Sequence, residues 1–250
     1  MKKIWIIKTG QTFSAIGDNL GDFDDWIISA IHTKEAVFFE KKICAVFLGE
    51  SLPSQSEVDA VIITGSPAMV TDQLPWMENL ANWLRLVFHK NTPILGICFG
   101  HQILSYALGG VVDYHPKGRE LGMVDVSKTE MASDDLLFKN LPPRFGAHVS
   151  HKQTVIKLPK NAVLLAGNAF EPHHAFRVGK CAWGLQFHPE FSARIISEYI
   201  RYFSRELDQE KIDVVALLCT IQETPEATSV LQNFFNFVVG APPSFQALQV

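Results

Sequence analysis

The chain has 250 residues, a formal net charge of −4 at pH 7 and a hydrophobic share of 47%. This length fits one large domain or two small ones, with a sizeable core. The acidic balance argues against a general nucleic-acid-binding protein, because such proteins carry basic surfaces. The cysteines show neither zinc-type nor paired spacing, which indicates free thiols in a reducing compartment: they are Cys44, Cys98, Cys181 and Cys219.

The N-terminal apolar run is too short for a signal peptide. It covers residues 4–7 and is broken by Lys8 and Gly10. No apolar run approaches the length that spans a bilayer. We therefore expect a cytoplasmic protein that does not contact membranes.

Strands and helices alternate in the first half of the chain. Apolar runs predict strands at 4–7, 43–48, 58–64 and 92–95. Helical spacing predicts helices at 23–31, with Asp22 or Asp24 as N-cap, at 75–89, and at 103–108 before Gly109 and Gly110. This alternation is typical of a parallel sheet with helices on both faces.

The pattern changes after Gly110. Short strands are predicted at 111–114, 121–126, 148–157, 163–166 and 174–178, a short helix at 133–138 with a Ser cap, a strand at 182–187 and a helix at 192–205. The fold class is therefore α/β: an open, mostly parallel twisted sheet with helices on both faces and a mixed or antiparallel extension.

Cys98 lies in the stretch Gly-Ile-Cys-Phe-Gly-His-Gln at 96–102, between a buried strand and a helix. Such a tight turn lifts a side chain clear of the sheet edge, as in the nucleophile elbow of hydrolases. A helix N-terminus also favours a thiolate. On this pattern alone, an inert small core residue is an equally good interpretation.

His188 and Glu190 follow the apolar strand at 182–187. A nucleophilic thiol needs a base, and the base needs a carboxylate that orients it. Residues two apart at a strand end point the same way, so this pair could supply both. His173 and His174 suggest a metal site, but no acidic or Cys partner stands at ligand spacing, so we expect no metal.

Together these two motifs, with Ile-Thr-Gly-Ser-Pro at 63–67, resemble the class I glutamine amidotransferase family. Within that family they resemble the glutaminase domain of GMP synthase and the γ-glutamyl peptidases. The resemblance covers roughly residues 3–205 and implies a flavodoxin-like topology. It also implies a catalytic Cys98, His188 and Glu190, an oxyanion hole from the backbone N–H groups of Gly65 and Phe99, and no cofactor.

The resemblance further implies substrate binding by Gln102, Ser150 and His151. The family loop equivalent to residues 149–155 holds the amino-acid end of glutamine, mostly through backbone groups. Lys152 and Gln153 depart from the family pattern of His, Gly and an acidic or aromatic residue. An ordinary strand histidine remains the alternative interpretation of His151.

Three functions are compatible with these motifs. The first is a glutaminase that passes ammonia to a separate synthase subunit, because this sequence contains no phosphate-binding loop of an acceptor domain. The second is a γ-glutamyl peptidase or hydrolase that acts on γ-glutamyl peptides or conjugates. The third, a binding module without activity, is disfavoured because all three catalytic positions are filled.

Residues 208–250 lie beyond the resemblance, and we divide the chain into a domain at 1–207 and a helical extension at 208–250. Helices are predicted at 214–218 and at 225–239, the second capped by Thr224 and ended by Gly240. The second helix is apolar enough to need a partner surface. It either packs back on the domain or forms a homodimer. The tail at 241–250 is expected to be loosely ordered.

Overall fold

The computed structural model describes residues 1–31 and 39–240. Its strands are β1 (Lys2–Lys8), β2 (Phe39–Ala45), β3 (Ala60–Ile63), β4 (Ile94–Ile97), β5 (Val111–Tyr114), β6 (Glu120–Lys128), β7 (Arg144–His151), β8 (Gln153–Lys157), β9 (Val163–Gly167), β10 (Ala175–Val178) and β11 (Ala182–Leu185). Its helices are α1 (Ser14–Leu20), α2 (Phe23–Ala30), α3 (Pro75–His89), α4 (Phe99–Ala107), α5 (Ala193–Tyr202), α6 (Ser204–Gln209), α7 (Val214–Cys219) and α8 (Pro225–Gly240).

Among the described residues, nine strands form one sheet in the order β2-β1-β3-β4-β11-β10-β9-β6-β7. The first five are parallel to one another, in the order of a flavodoxin-like sheet, and the others pair antiparallel. The predicted fold class is confirmed. The carboxyl ends of β3, β4 and β11 lie at one edge, where open α/β sheets bind ligands.

The parallel strands are buried on both faces, which explains their nearly continuous apolar runs. On β1 and β3, Ile6 and Ile62 face one core, whereas Ile7 and Ile63 face the other. Residues of α3 and α4 fill the second core, and residues of α2 and α8 join the first. Helices therefore cover both faces, as predicted.

Several element boundaries differ from the prediction. The predicted strand at 43–48 is β2, which ends at Ala45 and is followed by a 3-10 turn at Val46–Leu48. The predicted single strand at 148–157 is two strands. The first ends at His151 and the second begins after Lys152, and this second strand, β8, pairs with β5 in a separate two-stranded sheet.

The loop after β1 and the region near residue 133 also differ. Helix α1 was not predicted, since its sequence contains Gly17 and no capping side chain. The predicted helix at 133–138 is wrong: a 3-10 turn at Glu130–Ser133 precedes residues 134–138, where the Asp135 side chain accepts a hydrogen bond from the Leu137 N–H. An Asp side chain that binds the backbone locally favours a turn over a helix.

Helix α8 packs back on the rest of the chain. Its buried residues contact β7 and α2, and Phe234 lies edge-on against Trp183 of β11 with ring centroids 6.1 Å apart. The predicted cap is wrong in detail: the Thr224 carbonyl accepts from the Thr228 N–H, but the Thr224 hydroxyl has no hydrogen-bond partner among the described residues. The tail at 241–250 lies outside the described residues.

Candidate active site

Cys98 occupies a sharp turn between β4 and α4. Its backbone has φ 52° and ψ −102°, a conformation that a non-glycine residue rarely adopts and that often marks a functional site. The turn is this tight because Gly100 lies against β3, where a Cβ would collide with the carbonyl oxygen of Ile63. The Cys98 N–H donates to the carbonyl of Leu185 at 2.7 Å, which ties the turn to β11. The predicted elbow is present, and α4 begins at Phe99 rather than at 103.

His188 follows β11 at the same edge of the sheet. Its N–H donates to the carbonyl of His148 at 2.8 Å, and its ring stacks on Phe191 with centroids 3.9 Å apart. Its Nδ1 lies 2.7 Å from Oε1 of Glu190. The Glu190 side chain is fully buried. This carboxylate therefore fixes the ring and leaves Nε2 as the nitrogen available for proton transfer.

Electrostatics favour a proton on His188. Burial lowers its pKa, but the negative charge of Glu190, the charge of Cys98 and a side-chain hydrogen bond with Cys98 act in the opposite direction. Together they raise the pKa of His188 to about 10. By contrast, burial raises the pKa of Cys44 and of Cys181 to about 11. Those two thiols stay protonated and unreactive at neutral pH.

Cys98 and His188 line one pocket. We call its buried part the inner end, defined by Cys98, Gln102 and His188, of which Cys98 is only 6% exposed. We call the part lined by the two cations Arg119 and Lys152 the outer end and include in it Glu206, which contacts both. Aromatic rings border the pocket: Phe13, Phe23, Phe99, Tyr199 and Phe203.

The residues predicted to bind substrate already have protein partners. The Gln102 Nε2 group donates to the Gln153 carbonyl at 2.8 Å and to Gln186 Oε1 at 3.0 Å. The Cys98 thiol lies 3.7 Å from the carbonyl oxygen of Ser150. Gln102 therefore supports the loop at 150–153, and the Ser150 backbone contacts the Cys98 sulfur.

His151 and Glu120 form a buried pair across strands β7 and β6. His151 Nε2 lies 3.0 Å from Glu120 Oε2, and His151 Nδ1 lies 2.9 Å from the Gln153 carbonyl oxygen. Burial raises the pKa of Glu120, but the hydrogen bond with His151 acts in the opposite direction and the pKa is lowered. The carboxylate form of Glu120 thus holds the strand end next to Ser150.

The sequence prediction and the pocket overlap in most positions. Six of the predicted residues line it: Cys98, Phe99, Gln102, Ser150, His151 and His188. Glu190 lies behind His188, and Gly65 borders His188, where a Cβ would come within 3.0 Å of the ring. Arg119 and Glu120 also line the pocket and were not predicted. In the sequence, the only indication of a role for these two residues is that they form a charged pair between Gly118 and Gly122.

Two other kinds of feature are absent from residues 1–31 and 39–240. No group of three His, Cys, Asp or Glu side chains there could hold a metal ion. In the same residues, no helix combines the length and the apolar character needed to cross a bilayer.

Sequence comparison finds a family match over most of the chain. Residues 30–206 match the family described as glutamine amidotransferase class-I. One subunit of a glutamine-hydrolysing GMP synthase from Methanocaldococcus jannaschii is 34% identical over 143 residues, which are 56% of this chain and 69% of that protein. A GMP synthase from Thermosipho africanus is 33% identical over 148 residues, and the match spans 27% of that protein's length.

Solved structures share the fold. A glutamine amidotransferase from Thermotoga maritima superposes with a TM-score of 0.75 at 23% identity, covering 96% of this chain and 99% of that one. A glutamine amidotransferase from Methylobacillus flagellatus has a TM-score of 0.73 at 21% identity, with 94% and 95% covered. The family match covers well over half of this sequence. The chain therefore belongs to the class I glutamine amidotransferases, a family of enzymes.

Proposed function

We propose that the protein hydrolyses the γ-amide of glutamine through Cys98, His188 and Glu190. The observation that carries this proposal is the 2.7 Å contact between His188 and Glu190, since His188 lines the same pocket as Cys98. A thiol, a base and a carboxylate that orients the base are the parts of a cysteine hydrolase.

The reaction divides into two half-reactions. His188 accepts the thiol proton, and the sulfur of Cys98 attacks the side-chain carbonyl of glutamine. The resulting tetrahedral intermediate collapses when the C–N bond breaks and His188 returns the proton to the departing ammonia. A γ-glutamyl thioester remains on Cys98. His188 then deprotonates a water molecule, which attacks the thioester and releases glutamate and the thiol.

The oxyanion would be held by backbone donors. Phe99 begins α4, so its N–H has no partner inside the helix. Gly65 is the second residue after β3 and borders His188. Donors of this kind contribute a few kcal/mol each to the transition state. The next residue, Ser66, lines the pocket, and its hydroxyl donates to the Thr9 carbonyl at 2.8 Å, which fixes this loop.

The ammonia acceptor would be a separate synthase subunit. The names of the relatives support this, since two of them are each named as one subunit of a GMP synthase. The extension at 208–250 could also form a homodimer: helix α8 uses its apolar face within the chain, but Val215 on α7 is 71% exposed. Light scattering of the purified protein, first by itself and then mixed with a synthase, tests both associations.

A γ-glutamyl peptidase or hydrolase is the second candidate. The observation that favours it is the extension of the pocket past Cys98 to the cations Arg119 and Lys152. Comparing the hydrolysis of glutamine with that of γ-glutamyl dipeptides separates the two candidates. Preference for glutamine supports a glutaminase, and preference for a dipeptide supports a peptidase.

Active-site labelling tests the shared chemistry. The glutamine-like electrophile 6-diazo-5-oxo-L-norleucine should modify Cys98 and abolish hydrolysis. Iodoacetamide is the control reagent and Cys219 the control residue, because Cys219 is exposed. Peptide mass spectrometry should show that the glutamine analogue discriminates between these two thiols and that iodoacetamide labels both. Equal labelling by the analogue would contradict the proposal.

A further inference from the structure

The outer end of the pocket places two cations side by side. Arg119 immediately precedes β6, and Lys152 immediately follows β7. Strands β6 and β7 pair antiparallel with Glu120 opposite His151, so Arg119 and Lys152 come next in register. Both side chains line the pocket that contains Cys98.

Both cations bind the same carboxylate oxygen. Arg119 Nη2 donates to Oε2 of Glu206, and Lys152 Nζ lies 3.3 Å from that oxygen. Arg119 Nε also lies 3.3 Å from Oε1 of Glu210, and the Arg119 guanidinium lies over the ring of Phe203, 4.7 Å from its centroid. The structure thus contains a carboxylate held by two cations at the outer end of the pocket.

The two sides of this contact differ in exposure. The Arg119 side chain is only 4% exposed, so it stays in place and needs an anionic partner. Glu206 belongs to the short helix α6, and its side chain is 48% exposed. Water can solvate Glu206 when it moves away, and Glu210 remains beside Arg119 as a second anionic partner. Another carboxylate can therefore replace it at small cost.

We propose that Arg119 and Lys152 form a carboxylate-recognition site for the substrate, and that Glu206 occupies this site when no substrate is bound. The inference rests on the proposed γ-glutamyl chemistry at Cys98. The carboxylate has two possible sources: the α-carboxylate of the glutamyl group, or the carboxylate of an amino acid joined to the γ-carbonyl. In either case, Arg119 and Lys152 determine which γ-glutamyl compounds are bound.

Binding to Cys98→Ala protein, measured by calorimetry, tests recognition without turnover. Two ligand pairs separate the sources: glutamine with its α-methyl ester, and γ-glutamylglycine with γ-glutamylglycinamide. The charged member of at least one pair should bind about tenfold more tightly, as expected for a hydrogen bond to a charged group. The affected pair identifies the source.

Substitutions at the outer end show which residues cause the preference for the charged ligand. Lys152→Met and Arg119→Gln should each reduce the preference for the charged ligand. If loss of the buried Arg119 impairs folding, Lys152→Met still tests the site, because Lys152 is exposed. Lys180→Met is the matched control, since Lys180 is exposed and outside the pocket lining. Glu206→Gln should strengthen binding of the charged ligand about two- to fivefold, the range set by a weak exposed pair.

Three results have distinct meanings. Equal binding within both pairs, or a preference that neither variant changes, overturns the carboxylate site but leaves the chemistry at Cys98 intact. Absence of binding by all four ligands overturns both proposals. Loss of the preference in Lys152→Met but not in Lys180→Met supports the site.

Discussion

The inner and outer ends of the pocket differ in how their charges are held. At the inner end, His188 and the Glu190 carboxylate behind it are buried and lie two residues apart in the turn after β11. At the outer end, Lys152 and Glu206 are 43% and 48% exposed and come from distant parts of the chain. Buried charges interact strongly, whereas exposed ones are screened by water. Substitutions at the inner end should therefore affect chemistry, and those at the outer end substrate choice.

The largest effects are expected from Cys98→Ala and His188→Ala. Each should lower kcat/KM for glutamine by more than about 1000-fold, since each removes a part of one catalytic unit. The double variant should be little worse than either single one. Cys219→Ala is the control for loss of a thiol and should retain activity. Multiplicative losses would argue that the two residues act independently.

Glu190→Gln should have a smaller effect on activity, about 100-fold, because the base remains but is less well charged and oriented. Its effect on stability should depend on pH. Glu190 helps to raise the pKa of His188, so this contribution is fully present below the unfolded pKa of about 6.5 and is lost as pH rises through the folded pKa.

Urea denaturation of wild type and Glu190→Gln at several pH values measures this difference. The stability gap should be largest near pH 6 and should shrink towards pH 10, the raised pKa of His188. A gap that is constant over this range would mean that Glu190 does not control the charge of His188.

Glu120 lies next to Arg119 and holds His151, so Glu120→Gln tests how the two ends of the pocket are linked. Glu120 holds His151 and also accepts from Asn168 Nδ2 at 3.0 Å. The substitution weakens a buried charged hydrogen bond, so the free energy of unfolding should fall by about 1–3 kcal/mol. Activity should fall about tenfold through displacement of the Ser150 carbonyl next to Cys98. Glu130→Gln, at an exposed position, is the control. Unchanged stability would show that the pair does not hold this strand end.

Glu206→Gln should have the smallest effect on stability, below about 1 kcal/mol, because Glu206 is itself half-exposed and Glu210 remains as an anionic partner of Arg119. Its pKa is lowered by the Arg119 hydrogen bond and by Lys152, so it is charged at neutral pH. Glu198→Gln, which breaks the exposed pair with Arg201, provides the comparison. Thermal unfolding measures both; a larger loss in Glu206→Gln than in Glu198→Gln would show that Glu206 is structural.

The same difference explains what the sequence could predict. The Cys98 elbow is a local pattern that flanking glycines make possible, and His188 and Glu190 lie only two residues apart in the turn after β11, which ends at Leu185 rather than at the predicted residue 187. Helix α2 could also be predicted from local sequence, since Asp22 caps it through its side chain as predicted. These features need no knowledge of distant residues.

The Arg119–Glu206 contact at the outer end could not be predicted because it depends on long-range pairing. Arg119 and Glu206 are 87 positions apart and meet only after the sheet and the C-terminal helices have packed. The break at Lys152 was missed for a related reason: alternation shows which face a residue occupies but not which sheet its strand joins. Helix α1 lacks a capping side chain, so its start gave no local signal.

Trapping of the reaction intermediate tests the central claim most directly. The protein is mixed with excess glutamine, quenched in acid during turnover, digested and analysed by mass spectrometry. We expect one γ-glutamyl group on the peptide that contains Cys98, lost on treatment with hydroxylamine as a thioester would be, and absent from Cys98→Ala. Steady glutamate release with no such adduct, or the same adduct on Cys219, would contradict the account.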